Sequence, residues 1–181
     1  MKNNTETSKF LSYILRHEPD SIGLVLSSDG WADINELMQL ANTSGNNIML
    51  EQIHSIVESD KKGRFSISDD GQYIRAVQGH SLKTVDLNLK ETTPPANLLH
   101  GTAQRFIENI NNEGLVSQKR QYVHLTEDYD TATKTGMRYG KPVVLSIDSH
   151  KMQEEGYKFY QAENNVWLTL AVPPAYITIH K

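Results

Sequence analysis

Two cations stand side by side at Arg16-His17, just before Glu18-Pro19. A guanidinium is a planar fork of donors suited to a phosphate, and an adjacent imidazole adds a donor near neutral pH. The pair equally fits an ordinary helix C-terminus, where cations favour the macrodipole. Arg64 follows Lys61-Lys62-Gly63, and Arg75 lies close before Gln78-Gly79-His80-Ser81. A basic hairpin of this kind also serves as a solvated edge that resists aggregation. Arg138 sits in Gly136-Met137-Arg138-Tyr139-Gly140-Lys141, a glycine-flanked turn that either presents donors to an anion or simply lies at the surface. In His100-Gly101-Thr102 the glycine admits a ligand close to the backbone, while the His and Thr side chains can bond ribose hydroxyls or phosphates. His124-Leu125-Thr126 repeats that chemistry further along the chain.

Other chemistries are excluded by what the chain lacks. It has no cysteine, so disulfides, thiolate zinc sites and cysteine nucleophiles are ruled out. The seven histidines are scattered, no two of them four residues apart, and no metal site is expected. No GxGxxG and no GxxxxGK[ST] occurs, which disfavours a Rossmann dinucleotide site and a P-loop. The net charge is −4, carried entirely by residues 1–93. A long nonspecific RNA contact is therefore not expected from global charge, whereas a compact pocket for one phosphate is compatible with it. The polar start MKNNTETSKF and the absence of a long apolar run predict a cytoplasmic protein with no membrane association.

These residues must be positioned by short elements. Leu11, Ile14 and Leu15 share one helical face over residues 8–15, and Pro19 opposes continuation of that helix. Asp33 is a good N-cap for a second helix, with Glu36 in the capping-box position. Leu50, Ile53, Ile56 and Val57 mark a third helix. Arg64 to Ser68 then alternates as a strand, Asp69-Asp70-Gly71 turns, and residues 73–77 return. Residues 83–95 are polar, end in Thr92-Thr93-Pro94-Pro95, and read as a linker. Beyond them short strands and helices alternate: strands at 98–100, 122–125, 143–147, 166–170 and 176–179, with helices after Thr102 and over 129–137. The fold class is α+β in two lobes, 1–92 and 93–181, the first built as three helices and a hairpin in a winged-helix-like order.

The blocks SKFLSYILRHEP, GLVLSSDGWADINEL, KKGRFSISDDGQYIRAVQGHS, PPANLLHGT, VHLT, TGMRYGKPVVLSID and AENNVWLT follow in that order. Together they resemble the RNA 2′-phosphotransferase family over almost the whole chain. The resemblance implies a winged-helix-like, RNA-phosphate-binding N-lobe and an NAD-binding C-lobe of ADP-ribosyltransferase fold, with the active site in the cleft between them. It maps a catalytic Arg-His-Arg-Arg set onto Arg16, His17, Arg64 and Arg138. It assigns NAD contacts to His100, Gly101, Thr102, His124, Thr126 and Val166. NAD would be consumed as co-substrate, without a metal, and RNA bearing a 2′-phosphate would be the partner. No obligate protein partner is implied, and a monomer is expected.

The implied reaction has two steps. The RNA 2′-phosphate displaces nicotinamide from the anomeric carbon, giving an ADP-ribosylated RNA phosphate. The ribose 2″-hydroxyl then attacks phosphorus, releasing RNA 2′-OH and ADP-ribose 1″,2″-cyclic phosphate. In Val166-Trp167-Leu168 the chain is apolar where many ADP-ribosyltransferases carry a glutamate; an anionic phosphate nucleophile needs no deprotonation, and a carboxylate would repel it. Two other readings compete: an ADP-ribosyltransferase acting on a terminal nucleic-acid phosphate or a protein, and a non-catalytic winged-helix module.

Overall fold

The computed structural model describes residues 3–180, and the chain divides into two compact units between Asn88 and Leu89. The first contains α1 (Asn4–Arg16), β1 (Ala32–Asp33), α2 (Ile34–Thr43), α3 (Leu50–Ser59), β2 (Phe65–Ile67) and β3 (Tyr73–Ala76). Helix α1 starts earlier than its apolar stripe indicates. The Asn3 side chain accepts from Glu6 N at 2.9 Å and the Glu6 carboxylate takes Asn3 N, a capping box of purely polar residues. Asp33 caps α2 as the sequence predicts, accepting from Glu36 N at 2.9 Å.

Each helix sends an apolar stripe inward, Leu11, Ile14 and Leu15 from α1, Ile34, Leu37 and Ala41 from α2, and Ile53 and Ile56 from α3. They pack with Phe65, Ile74 and Ala76 of the hairpin, each large side chain contributing about 1.5–3 kcal/mol on burial. The strands form an antiparallel sheet in the order β1-β3-β2, with Phe65 opposite Ala76 and Ile67 opposite Ile74. Strand β1 has only two residues and gives no periodic signal.

The boundary between the units falls inside residues 83–95, the segment read as a linker or crossover, and each half of that segment is held to its own unit. Val85 is buried and Asp86 N donates to Ser28 O at 2.8 Å in the first unit. Thr92 N donates to Phe159 O at 2.8 Å in the second.

The second unit contains β4 (Asn97–Ala103), α4 (Ile107–Glu113), β5 (Leu115–Val116), β6 (Val123–Leu125), α5 (Tyr129–Met137), β7 (Pro142–Asp148), α6 (Ser149–Glu154), β8 (Tyr160–Gln161), β9 (Trp167–Thr169), β10 (Ala171–Val172) and β11 (Ile177–Ile179). Two antiparallel three-stranded sheets carry it, ordered β11-β7-β4 and β6-β9-β8, and β10 pairs with β5. Their shared core includes Leu98, Leu125, Leu145, Ile147, Phe159 and Trp167. The sheets are stitched where Leu99 and Thr126 exchange backbone hydrogen bonds of 2.7 and 2.9 Å. No described helix is long and apolar enough to cross a membrane. The architecture is thus mixed α and β in both units.

Candidate active site

In the first unit the cations gather around the segment that follows β3. Arg16 ends α1, and Ser81 N donates to its carbonyl at 3.0 Å, capping the helix C-terminus from outside. His17 Nδ1 and Ser81 Oγ lie 3.0 Å apart. Gly79 brings this segment over the helix end. At φ +89 it adopts a conformation that side-chain-bearing residues rarely reach, and its Cβ direction points at the buried Arg16 guanidinium. Arg64 enters the same neighbourhood along the sheet, since Val77 N donates to its carbonyl at 3.0 Å. Arg16, His17 and Arg64 are therefore all anchored to residues 77–81. The helix-end reading and the phosphate-binding reading of Arg16-His17 are compatible: the helix end fixes the pair in place.

Two residues that the sequence did not single out support this cluster. Asp60 accepts both Arg64 N and Arg64 Nη1 at 2.7 Å, fixing the guanidinium through one short loop. Its only sequence signal is its place four residues before an arginine. His80 is 2% exposed, and neither ring nitrogen has a hydrogen-bond partner among the described residues. Burial, reinforced by the charges of Arg16, His17 and Arg75, pushes it down to about 4. It is thus a neutral, buried packing element beside the cations. The Arg75 guanidinium lies 4.4 Å from the centre of the Trp31 ring.

In the second unit His100 and His124 lie at the seam between the two sheets. His100 Nδ1 is 2.9 Å from the His124 carbonyl, which can only accept, so Nδ1 carries the proton. Burial pushes His100 down, favouring the neutral ring. Its Nε2 is then an acceptor, matched to a ribose hydroxyl and unsuited to a phosphate.

The Cβ direction of Gly101 is filled by the neighbouring helix. A Cβ there would lie 1.7 Å from the Ala132 carbonyl oxygen. Helix α5 occupies that space, so the glycine admits a helix and not a ligand on that side. Gly136 makes the reciprocal approach, with the Thr102 carbonyl 2.3 Å from where its Cβ would be. Thr102 is buried on β4, and Thr126 Oγ1 accepts from Asp128 N at 3.1 Å, holding the turn into α5. Val166 accepts from Ala162 N at 2.9 Å at the hairpin before β9. Trp167 Nε1 donates to Glu127 at 2.8 Å, so an indole holds the nearest carboxylate of the turn after β6.

Arg138 caps the C-terminus of α5 and is exposed. Arg120, which the sequence did not mark, comes close to it. Partial loss of hydration lowers Arg120, an otherwise exposed residue, below the ordinary arginine value, with Tyr139 opposing and Arg138 adding to the effect. Among the described residues no three of His, Asp or Glu gather as metal ligands.

What these elements define is an α+β protein of two units, the first with Arg16, His17 and Arg64 anchored to residues 77–81 and the second with His100 and His124 at the seam between two sheets. Residues 2–171 match the model of the RNA 2′-phosphotransferase, Tpt1 / KptA family. A probable RNA 2′-phosphotransferase of Pseudomonas fluorescens is 53% identical over 172 residues, covering 95% of this chain and 94% of the relative. One from Agrobacterium fabrum is 54% identical over 177 residues, 97% of this chain and 94% of the relative. One from Escherichia coli is 48% identical over 171 residues, with coverage of 94% and 88%. The chain belongs to the RNA 2′-phosphotransferase, Tpt1 / KptA family.

Proposed function

We propose that the chain is a transferase that removes a 2′-phosphate from RNA with NAD as the consumed co-substrate. The phosphate passes through an ADP-ribosylated RNA phosphate and leaves as ADP-ribose 1″,2″-cyclic phosphate. The observation that carries the reading is the anchoring of Arg16, His17 and Arg64 to one short segment, in a chain whose family is defined by this reaction. We assign the first unit a winged-helix-like, RNA-phosphate-binding role and the second an ADP-ribosyltransferase-like, NAD-binding role. The reaction belongs in the cytoplasm, and a monomer suffices for it.

The residues divide the work by chemistry. Arg16 and His17 hold the 2′-phosphate as donors, with His80 neutral behind them and adding no competing charge. Arg64, oriented by Asp60, and Arg138, with Arg120 beside it, stabilise the charge that spreads over phosphorus in the second step. His100 Nε2 accepts from a ribose hydroxyl, and His124, Thr102, Thr126 and Val166 line or brace that position. Gly101 serves it indirectly, by seating α5. NAD itself supplies a cationic nicotinamide leaving group, so the first step needs positioning more than acid catalysis.

Nicotinamide release, measured with 2′-phosphorylated, 5′-phosphorylated and unmodified RNA, tests the reading. Release that depends on the internal 2′-phosphate supports it. Equal release with a 5′-phosphate, or with a protein acceptor, transfers the chain to the general ADP-ribosyltransferases. The Arg16-His17-Arg64 cluster disfavours that outcome, because neither acceptor should need all three cations together.

A further inference from the structure

The second unit displays an aromatic and cationic surface that the phosphoryl chemistry does not use. Phe106 and Tyr139 meet edge to face, centroids 6.2 Å apart, and remain 36% and 50% exposed. The Arg105 guanidinium lies 4.8 Å from the centre of the Phe106 ring. Two fixed strand ends hold them together. Ala103 pairs with Pro142, and Gln104 N donates to Lys141 O at 2.9 Å, setting the 104–106 turn beside the turn after α5. Tyr139 N is itself tied to Gly136 O at 3.0 Å. Arg120 and Arg138 are electrostatic neighbours of this patch.

Exposed rings with interleaved guanidiniums fit a strand whose bases are unstacked. Every base offers a π-face to an aromatic side chain, and arginines follow the phosphates between bases. A duplex hides its base faces and would leave the rings unused. Resting on the reaction assigned above, we propose that Arg105, Phe106 and Tyr139 form the docking surface for single-stranded RNA flanking the phosphorylated nucleotide. The surface gives affinity for a strand without reading its sequence, in a chain whose net charge of −4 offers no broad attraction for RNA.

The test uses the full chain and a fluorescent single-stranded oligoribonucleotide with one internal 2′-phosphate, followed by anisotropy. The double variant F106A/Y139A should bind it at least about tenfold more weakly. Turnover of a 2′-phosphorylated dinucleotide and the KM for NAD should stay at wild-type values. The variants Phe106→Tyr and Tyr139→Phe, which keep a ring at each position, should retain wild-type binding, and a loss as large as that of the double variant would overturn stacking as the cause. Should the double variant misfold, Arg105→Gln at the exposed turn carries the question, and it should reduce the salt dependence of binding by about one counterion. Unchanged oligonucleotide affinity overturns the proposal. So does an equal loss with the dinucleotide, or a raised KM for NAD with strand binding intact, which would give the rings to adenine. Ring-dependent strand binding by a chain that transfers no 2′-phosphate would keep this surface and overturn the assigned reaction instead.

Discussion

Gly101→Ala separates two accounts of one glycine. If it admits a ligand, the substitution leaves the fold intact and weakens NAD binding. If it admits α5, the substitution damages the fold. The new Cβ would meet Ala132 O at 1.7 Å, its carbonyl carbon at 2.5 Å and its Cα at 2.9 Å, all backbone atoms. Relief requires α5 to withdraw from β4 by roughly 1.5–2 Å, because ordinary carbon contacts lie near 3.5–4 Å. The Gly136–Thr102 approach and the Leu99, Ala132 and Val144 cluster would open with it. Overpacking typically costs about 1–3 kcal/mol, and with no flexible side chain to yield the upper end applies. At about 2–4 °C per kcal/mol for a chain of this size, Tm should fall by about 6–12 °C. Urea unfolding should show the same loss as a lowered midpoint with unchanged slope. A Tm within about 2 °C of wild type, together with a raised KM for NAD, would refute the packing argument.

The remaining predictions address charge and orientation. His80 is neutral when folded and binds a proton more readily when unfolded, so stability is full above its unfolded value near 6.5 and falls as pH drops towards about 4. The loss should approach about 3 kcal/mol, and His80→Leu should flatten that part of the pH–urea-midpoint profile. Asp60→Ala removes the acceptor for Arg64 N and Nη1, and kcat should fall about tenfold with little change in KM for NAD; an unchanged kcat would show that Arg64 needs no such orientation. His100→Ala should raise the KM for NAD about five- to tenfold, the value of one neutral hydrogen bond; because burial lowers its titration, any acid-side rise in the wild-type KM should come at lower pH than for a free imidazole. In single-turnover reactions Arg138→Ala should accumulate ADP-ribosylated RNA, with Arg120→Ala as the comparison. A wild-type partition for Arg138 with accumulation for Arg120 would hand the second-step role to Arg120.

The sequence made the elements legible where a periodic stripe or a side-chain cap announces them. Asp33 before α2, the hairpin at residues 65–76 and α5 at Tyr129–Met137 all lie where patterning puts them. The polar first turn of α1 was missed because its capping box carries no apolar residue. Strands β1, β5, β8 and β10 were missed because two residues cannot show a period. Residues 83–95 read as a linker or crossover and do contain the unit boundary; the burial of Val85 and the backbone hydrogen bonds that hold the segment leave no compositional trace. In the site, residue types gave the donors but not their supports. Asp60 gives no signal beyond its place four residues before Arg64, His80 acts by burial, and Gly101 looks the same in a ligand loop as under a helix.

The central claim is that one RNA phosphoryl group ends on the ribose of NAD. An oligoribonucleotide with a radiolabelled internal 2′-phosphate, incubated with the chain and NAD, tests it directly. The account predicts label in ADP-ribose 1″,2″-cyclic phosphate and an oligonucleotide left with a free 2′-hydroxyl. Label released as inorganic phosphate, or kept on the RNA while NAD is consumed, would contradict it.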